Sequence, residues 1–226
     1  MEHVPVLVQE TLALLVPGRG GLFVDATVGL GGHAESLLRA APGVRLLGLD
    51  RDPEALARAS RRLAGFGDRV RLKQANFHQL EQVLAALEVG PVAGFLADLG
   101  VSSLQLETPE RGFSFRRQGP LDMRMGLAEV TAADLVNGMS EGELEKIFRD
   151  YGEERQARRI ARAIVRAREV EPLATTLDLE RVIRRAKGGR PEREGRVDPS
   201  TRIFQALRIA VNQELAGLES AIEQTV

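Results

Sequence analysis

Phe23-Val24-Asp25-Ala26-Thr27-Val28-Gly29-Leu30-Gly31-Gly32-His33 carries an apolar strand into a glycine-rich turn and straight into a helix start. Glycines in such a turn permit positive φ and let backbone N–H groups approach a ligand, and the helix start adds partial positive charge. A nucleotide-like ligand is the expectation, and a tight strand–helix turn with no ligand is the alternative. Gly29, Gly31 and Ala34 also satisfy G-x-G-x-x-A, which keeps a dinucleotide cofactor open.

Outward from this turn the first hundred residues alternate short apolar runs with helical patterns, the rhythm of βαβ units on a parallel sheet. Strands are expected at Leu22–Ala26, Leu46–Leu49, Val70–Lys73 and Val92–Ala97, with helices at His33–Ala41, Pro53–Ala64 and Phe77–Leu87. The second helix opens on Asp52-Pro53, a capping acid followed by a proline at the first helical position. After Asp98 the rhythm changes. Residues 105–126 read as an ordered loop rich in glycine, proline and arginine, and Ala132–Lys187 shows helical periodicity without strands, so an all-α insert is expected there. A polar loop follows at Gly188–Gly195. Pro199-Ser200-Thr201 then opens a long helix whose apolar positions Ile203, Leu207, Val211, Leu215, Leu218 and Ile222 fall three or four apart.

Two acids narrow the ligand. Asp50 ends the second strand 21 residues after Gly29, where a carboxylate accepts hydrogen bonds from both hydroxyls of an adenosine ribose. That fits NAD and S-adenosyl-L-methionine equally. Asp25, just before the glycine turn, can face the cationic amino group of a methionine moiety, whereas a pyrophosphate gains nothing from a negative charge there. Phe77, after the third strand, can cover an adenine face or simply fill the core. Together these residues favour S-adenosyl-L-methionine over a nicotinamide cofactor. Asp98 ends the fourth strand at the carboxyl edge, where α/β sheets place their chemistry, and can hold an acceptor N–H or the methionine end of the cofactor.

Composition removes other classes. The 226 residues are 43% hydrophobic and 28% charged, a globular rather than disordered balance. No apolar run approaches the roughly 20 residues of a membrane helix, and Met1-Glu2-His3 lacks the basic start of a secretory signal, so a cytoplasmic protein with no membrane partner is expected. Zero cysteines exclude disulfides, thiolate metal sites and a cysteine nucleophile. Methyl transfer to carbon 5 of a pyrimidine, which proceeds through a cysteine adduct at carbon 6, is therefore closed; an exocyclic amine, ring nitrogen or hydroxyl stays open. His3, His33 and His78 show no ligand spacing, so no metal is expected.

The formal net charge of −1 conceals a basic segment, since residues 149–202 hold 15 lysines and arginines against 10 acids. Arg155, Arg159, Arg162 and Arg166 recur at helical spacing opposite Ala157, Ile160, Ala161 and Ile164. Such a stripe is either a solvated face or a phosphate-binding one. Arg111, Arg116, Arg117 and Arg124 flank Phe113 and Phe115, an interleaving that favours single-stranded nucleic acid.

Several runs carry a resemblance: His3-Val4-Pro5-Val6-Leu7, the turn from Asp25 to His33, Asp98-Leu99-Gly100-Val101-Ser102-Ser103 with Gln105-Leu106, Glu110-Arg111-Gly112-Phe113-Ser114-Phe115, Gly119-Pro120-Leu121-Asp122-Met123-Arg124-Met125, and Thr201 through Leu215. The chain resembles the bacterial ribosomal RNA small subunit methyltransferase H family, also called MraW, from residue 3 to residue 215. The resemblance implies methyl transfer from S-adenosyl-L-methionine to the N4 amine of a decoding-centre cytidine in 16S ribosomal RNA, within the small ribosomal subunit. It also implies cofactor contacts at Gly31, Gly32, His33, Asp50, Phe77, Asp98 and Gln105, of which His33 and Gln105 come from the resemblance alone. Asp25 rests on electrostatics and not on the family. Members of that family continue past the long helix into a further strand and a Ser-Phe-His-Ser-Leu-Glu-Asp-like segment, which is not found after Val226.

The reading is an α/β, Rossmann-like class I methyltransferase core at residues 1–104 and 200–226, lacking its last strands. It is interrupted by a helical insert at 105–199 that contacts RNA. Two rivals remain: a nicotinamide-dependent oxidoreductase, and a non-catalytic RNA-binding or assembly factor that keeps the cofactor cradle.

Overall fold

A computed structural model describes residues 5–126, 128–188 and 198–215. The chain divides into two compact units, one built from residues up to Ser102 together with the chain from Leu215, and the other from Ser103 to Glu214.

The first unit runs α1 (Val8–Leu15), β1 (Gly21–Asp25), α2 (Gly32–Ala40), β2 (Val44–Asp50), α3 (Pro53–Leu63), β3 (Val70–Gln74), α4 (Leu80–Ala86) and β4 (Val92–Leu96). The four strands form one parallel sheet in the order β3-β2-β1-β4. All four expected strands are found within two residues of their limits, because each is an apolar run bounded by turn residues. Each face of the sheet is covered by its own cluster. Phe23, Leu46 and Val44 pack with Ala34, Leu37 and Leu38 of α2 and Ala59 and Leu63 of α3. Val24, Leu47 and Leu49 pack with Leu80 and Val83 of α4 on the other. The Asp52 carboxylate caps α3 by accepting the Glu54 N–H at 3.1 Å, as the Asp-Pro pair predicts. The expected helix from Phe77 is split into a short 3₁₀ turn, Phe77–Gln79, and α4; Asn76 and Gln79 cap that turn reciprocally.

The second unit contains α5 (Ser103–Glu107), α6 (Ala132–Gly138), α7 (Glu141–Asp150), α8 (Ala157–Arg168), α9 (Thr176–Ala186) and α10 (Thr201–Asn212), with no strand among its described residues. Three of these helices begin on capping boxes: Thr131 with Asp134, Ser140 with Glu143, and Thr175 with Asp178. The stretch expected to be an ordered loop, 105–126, is mostly that, carrying α5 and a 3₁₀ turn at Pro109–Arg111.

Two expectations are corrected. The helix at 201–212 was assigned to the sheet-bearing core, but its apolar face packs against α6 and α7 and its Phe204 ring meets Phe115 edge-on at 4.8 Å, so it is part of the helical unit. An amphipathic stripe specifies that a face is buried and not what buries it. The helix also ends at Asn212, where Gln213 turns left-handed, and the predicted apolar positions Leu218 and Ile222 lie outside the described residues. Among the described residues, no helix is long and apolar enough to cross a membrane, and no group of three or more histidines and acids could hold a metal ion.

Candidate cofactor site and basic face

The site in the first unit is assembled at the carboxyl ends of β1, β2 and β4. Asp25 ends β1 in register with Gly48 of β2 and Leu96 of β4, and Asp50 ends β2 two residues beyond Gly48. The turn after β1 is stitched to both neighbours. Ala26 N–H donates to the Leu96 carbonyl and Val28 N–H to the Leu49 carbonyl, each at 2.8 Å. Thr27 Oγ1 accepts the Asp98 N–H at 2.7 Å, which fixes the end of β4 beside the turn.

Gly29 and Gly31 adopt φ of 51° and 79°, left-handed conformations that side-chain-bearing residues rarely take. Gly31 forms the N-cap of α2 without any side-chain cap. The first N–H groups of the helix therefore face the turn without an intrahelical acceptor, as an anion or carboxylate site requires. The Asp50 carboxylate is shared between two backbone donors, Gly29 at 2.8 Å and Asp52 at 2.9 Å. Burial raises its pKa above the ordinary carboxylate value, and those two N–H groups oppose the rise.

Asp25 is 2% exposed and accepts one hydrogen bond, from Thr27 N–H at 3.2 Å. Burial pushes its carboxyl up to about 7, and the nearby Asp50 and Asp98 carboxylates push in the same direction. A buried acid among other acids is poised for a cationic partner and repels a pyrophosphate.

Asp98 is exposed at the end of β4. Phe77 is 2% exposed, packed with Ala26 against Phe95, Ala97 and Leu99, so its ring has the core role that was the alternative to covering adenine. His33 is half-buried, and its Nε2 lies 2.8 Å from the Val6 carbonyl. Its side-chain partner is thus the N-terminal segment, a relationship that no local pattern announces. Gln105 is buried on α5 of the other unit. Asp25, Gly31, Gly32, His33, Asp50, Phe77 and Asp98 all belong to the first unit.

In the second unit α8 buries Ala157, Ile160, Ala161 and Ile164 and exposes Arg158, Arg159, Arg162 and Arg166, the amphipathic division expected of it. Arg155 departs from the expectation. It sits in the turn before the helix, where Glu153 has a left-handed φ of 49°. Of the nearby acids, Glu154 is buried and pairs with Lys187, while Glu141 of α7 meets Arg162 at 3.3 Å. The interleaved aromatics are corrected as well. Phe113 is buried and half-buried Phe115 packs edge-on against Phe204, so the two rings do not make a shared open stacking surface; Arg116 and Arg117 remain exposed.

A parallel sheet, a glycine turn opening an uncapped helix and an acid at the end of the next strand define a Rossmann-like fold of the methyltransferase kind. The chain belongs to the MraW methylase family, which it matches over residues 1–226. It is similar to proteins named ribosomal RNA small subunit methyltransferase H. These include one from Geotalea daltonii, 54% identical over 225 residues covering 98% of this chain and 71% of the relative. Another, from Clavibacter michiganensis, is 51% identical over 228 residues, 99% of this chain and 71% of the relative. A third, from Sorangium cellulosum, is 52% identical over 223 residues, 98% and 70% respectively. A methylase family displaces the nicotinamide reading of the G-x-G-x-x-A match.

Proposed function

We propose that this chain transfers a methyl group from S-adenosyl-L-methionine to the N4 amine of a decoding-centre cytidine in 16S ribosomal RNA, acting on the small ribosomal subunit in the cytoplasm. The observation that carries the choice of cofactor is the pair of strand-end acids. Asp50 holds the glycine turn from a strand end, where a carboxylate can accept from ribose hydroxyls, and Asp25 is a buried carboxylate suited to an ammonium group. The relatives' names carry the choice of ribosomal RNA. The chain has no cysteine, which leaves an exocyclic amine among the acceptors open to it.

The residues fit the cofactor. Gly31, Gly32 and the backbone of His33 offer the helix start, Asp50 the ribose contact, and Asp25 the partner of the amino group. When bound, the cofactor supplies an electrophilic methyl group on a sulfonium centre. Asp98 is the group that orients the acceptor: its exposed carboxylate, fixed through its own N–H on Thr27, accepts an N–H of the cytosine amine and is the first acceptor of the proton that amine sheds. The base must be turned out of any stack to reach it. The helical unit supplies phosphate contacts through Arg159, Arg162 and Arg166 on α8, with Arg155 in the turn before it.

The test is to incubate the protein with methyl-labelled S-adenosyl-L-methionine and unmodified small ribosomal subunits, digest the RNA and identify the labelled nucleoside. N4-methylcytidine is expected. Label in a different nucleoside would move the acceptor. A melting temperature raised by NAD and not by S-adenosylhomocysteine would return the site to nicotinamide chemistry.

A further inference from the structure

The N-terminal residues Pro5-Val6-Leu7 lie against the cofactor turn. A carbonyl oxygen only accepts, so the 2.8 Å contact between His33 Nε2 and the Val6 carbonyl fixes the proton on Nε2, with the imidazole donating. One residue earlier, a Cβ built on Gly32 would fall 2.3 Å from Pro5 Cγ, with Pro5 Cδ and Cβ at 3.2 and 3.4 Å. Gly32 is the first residue of α2 and is not among the glycines with left-handed φ, so its backbone makes no demand that alanine, the better helix former, could not meet. What requires glycine there is the proline ring.

Leu7, the next residue of the segment, has φ 54° and ψ 36°. A side-chain-bearing residue persists in that region when its surroundings over-determine it. The two fixings just before it, Pro5 on Gly32 and Val6 on His33, do so. The helix beyond Leu7 grips weakly: α1 has no buried residue, Leu14 is 84% exposed, and only Leu12 and Leu15 pack against the core.

We propose that Pro5–Leu7 is a strap that closes over the glycine turn of the cofactor cradle, latched by the His33 imidazole, and that Gly32 is glycine to admit the Pro5 ring. A ring and a pinned carbonyl over the uncapped start of α2 limit the access of water to the N–H groups there and slow the escape of whatever they hold. His33 is thus a positioning residue acting through Val6. The retention of ligand rests on the cofactor reading above, whereas the latch itself does not.

Hydrogen exchange of the amides of residues 6–16 in the ligand-free protein, together with the dissociation rate of S-adenosylhomocysteine, tests both parts. Gly32→Ala and His33→Ala are expected to speed both by about tenfold, the scale of one lost hydrogen bond or one ejected contact. His33→Gln, which keeps a donor, restores part of the effect. Pro5→Ala combined with Gly32→Ala removes the overlapping Cγ and Cδ and brings exchange back toward the unaltered rate. Unchanged exchange in both single variants, or no rescue in the double variant, overturns the strap. Should the unaltered protein not bind S-adenosylhomocysteine, the cofactor reading fails, and the exchange measurements alone decide the latch.

Discussion

The Gly29 N–H donates to Asp50 Oδ2 at 2.8 Å, and the Asp52 N–H to Asp50 Oδ1 at 2.9 Å, so one carboxylate joins the glycine turn to the start of α3. The acid that the ribose is expected to meet is therefore also a fastening of the turn. Asp50→Ala should lower stability by about 2 kcal/mol, two backbone donors losing a charged acceptor in a partly buried place, and should weaken S-adenosylhomocysteine at least as strongly. Urea unfolding and calorimetric titration read the two effects separately. A stability loss with unchanged ligand affinity would leave Asp50 a fastening alone.

Asp25 sets a pH dependence. Its carboxyl is raised from 3.8 to about 7 by burial, so between about pH 4 and 7 the folded protein holds a proton that the unfolded chain has released. Stability must then fall as pH rises through that window, and the full penalty is present above pH 7. Asp25→Asn removes it, and is expected to stabilise the ligand-free protein by an order of 3 kcal/mol at pH 8 and by almost nothing at pH 4. The same variant should bind S-adenosylhomocysteine about tenfold more weakly, having lost the partner of its ammonium group. Equal melting shifts at the two pH values would contradict this account.

For Asp98 the expectation is a split between kcat and KM. Asp98→Asn keeps the shape and the backbone N–H that Thr27 accepts, and removes the charge. If the carboxylate orients the amine and takes its proton, kcat falls about 100-fold or more with a small change in cofactor KM. Preserved turnover with weaker cofactor binding would reassign Asp98 to the methionine end of the cofactor.

On α8, changing Arg159, Arg162 and Arg166 together to alanine should barely touch folding. These side chains are exposed, and the Arg162–Glu141 pair is the surface kind worth about 1 kcal/mol at most. RNA affinity should fall, and the slope of log K against log salt should shrink by about 2, near 0.7 for each phosphate contact to a single strand. An unchanged slope would make the stripe a solvated face.

Asn212 offers a test inside the helical unit. Its side chain accepts from Met125 N–H at 2.7 Å and donates to the Met123 carbonyl at 2.7 Å, while Met123 itself is buried with a left-handed φ of 62°. Asn212→Ala leaves a buried donor and acceptor unpaired beside a strained residue, and a loss of about 3 kcal/mol is expected. Asn212→Asp, which keeps the acceptor and loses the donor, should fall between.

Local chemistry accounts for most of what was legible beforehand. Strands are apolar runs, the helices of the second unit show in their periodicity, and Asp25, Asp50 and Asp98 are found because each ends a strand next to a turn. The readings that moved all depended on what meets what. Phe113 and Phe115 flanked by arginines have the composition of a stacking surface, yet one ring is buried and the other packs on Phe204, 89 residues on. Arg155 keeps the helical spacing but stands before the first turn of α8, where Glu153 reverses the chain.

By itself the amino-acid sequence determined the parallel sheet, the glycine turn, the acids at its edge and the amphipathic helices, because these follow from periodicity and from backbone preferences within a few residues. Tertiary structure alone decided that α10 packs on α6 and α7, that Phe77 is core, and that His33 holds Val6 while Gly32 receives Pro5. Those contacts join residues 18 or more apart, and burial of an apolar stripe or satisfaction of one polar atom can be met by many partners until packing chooses one.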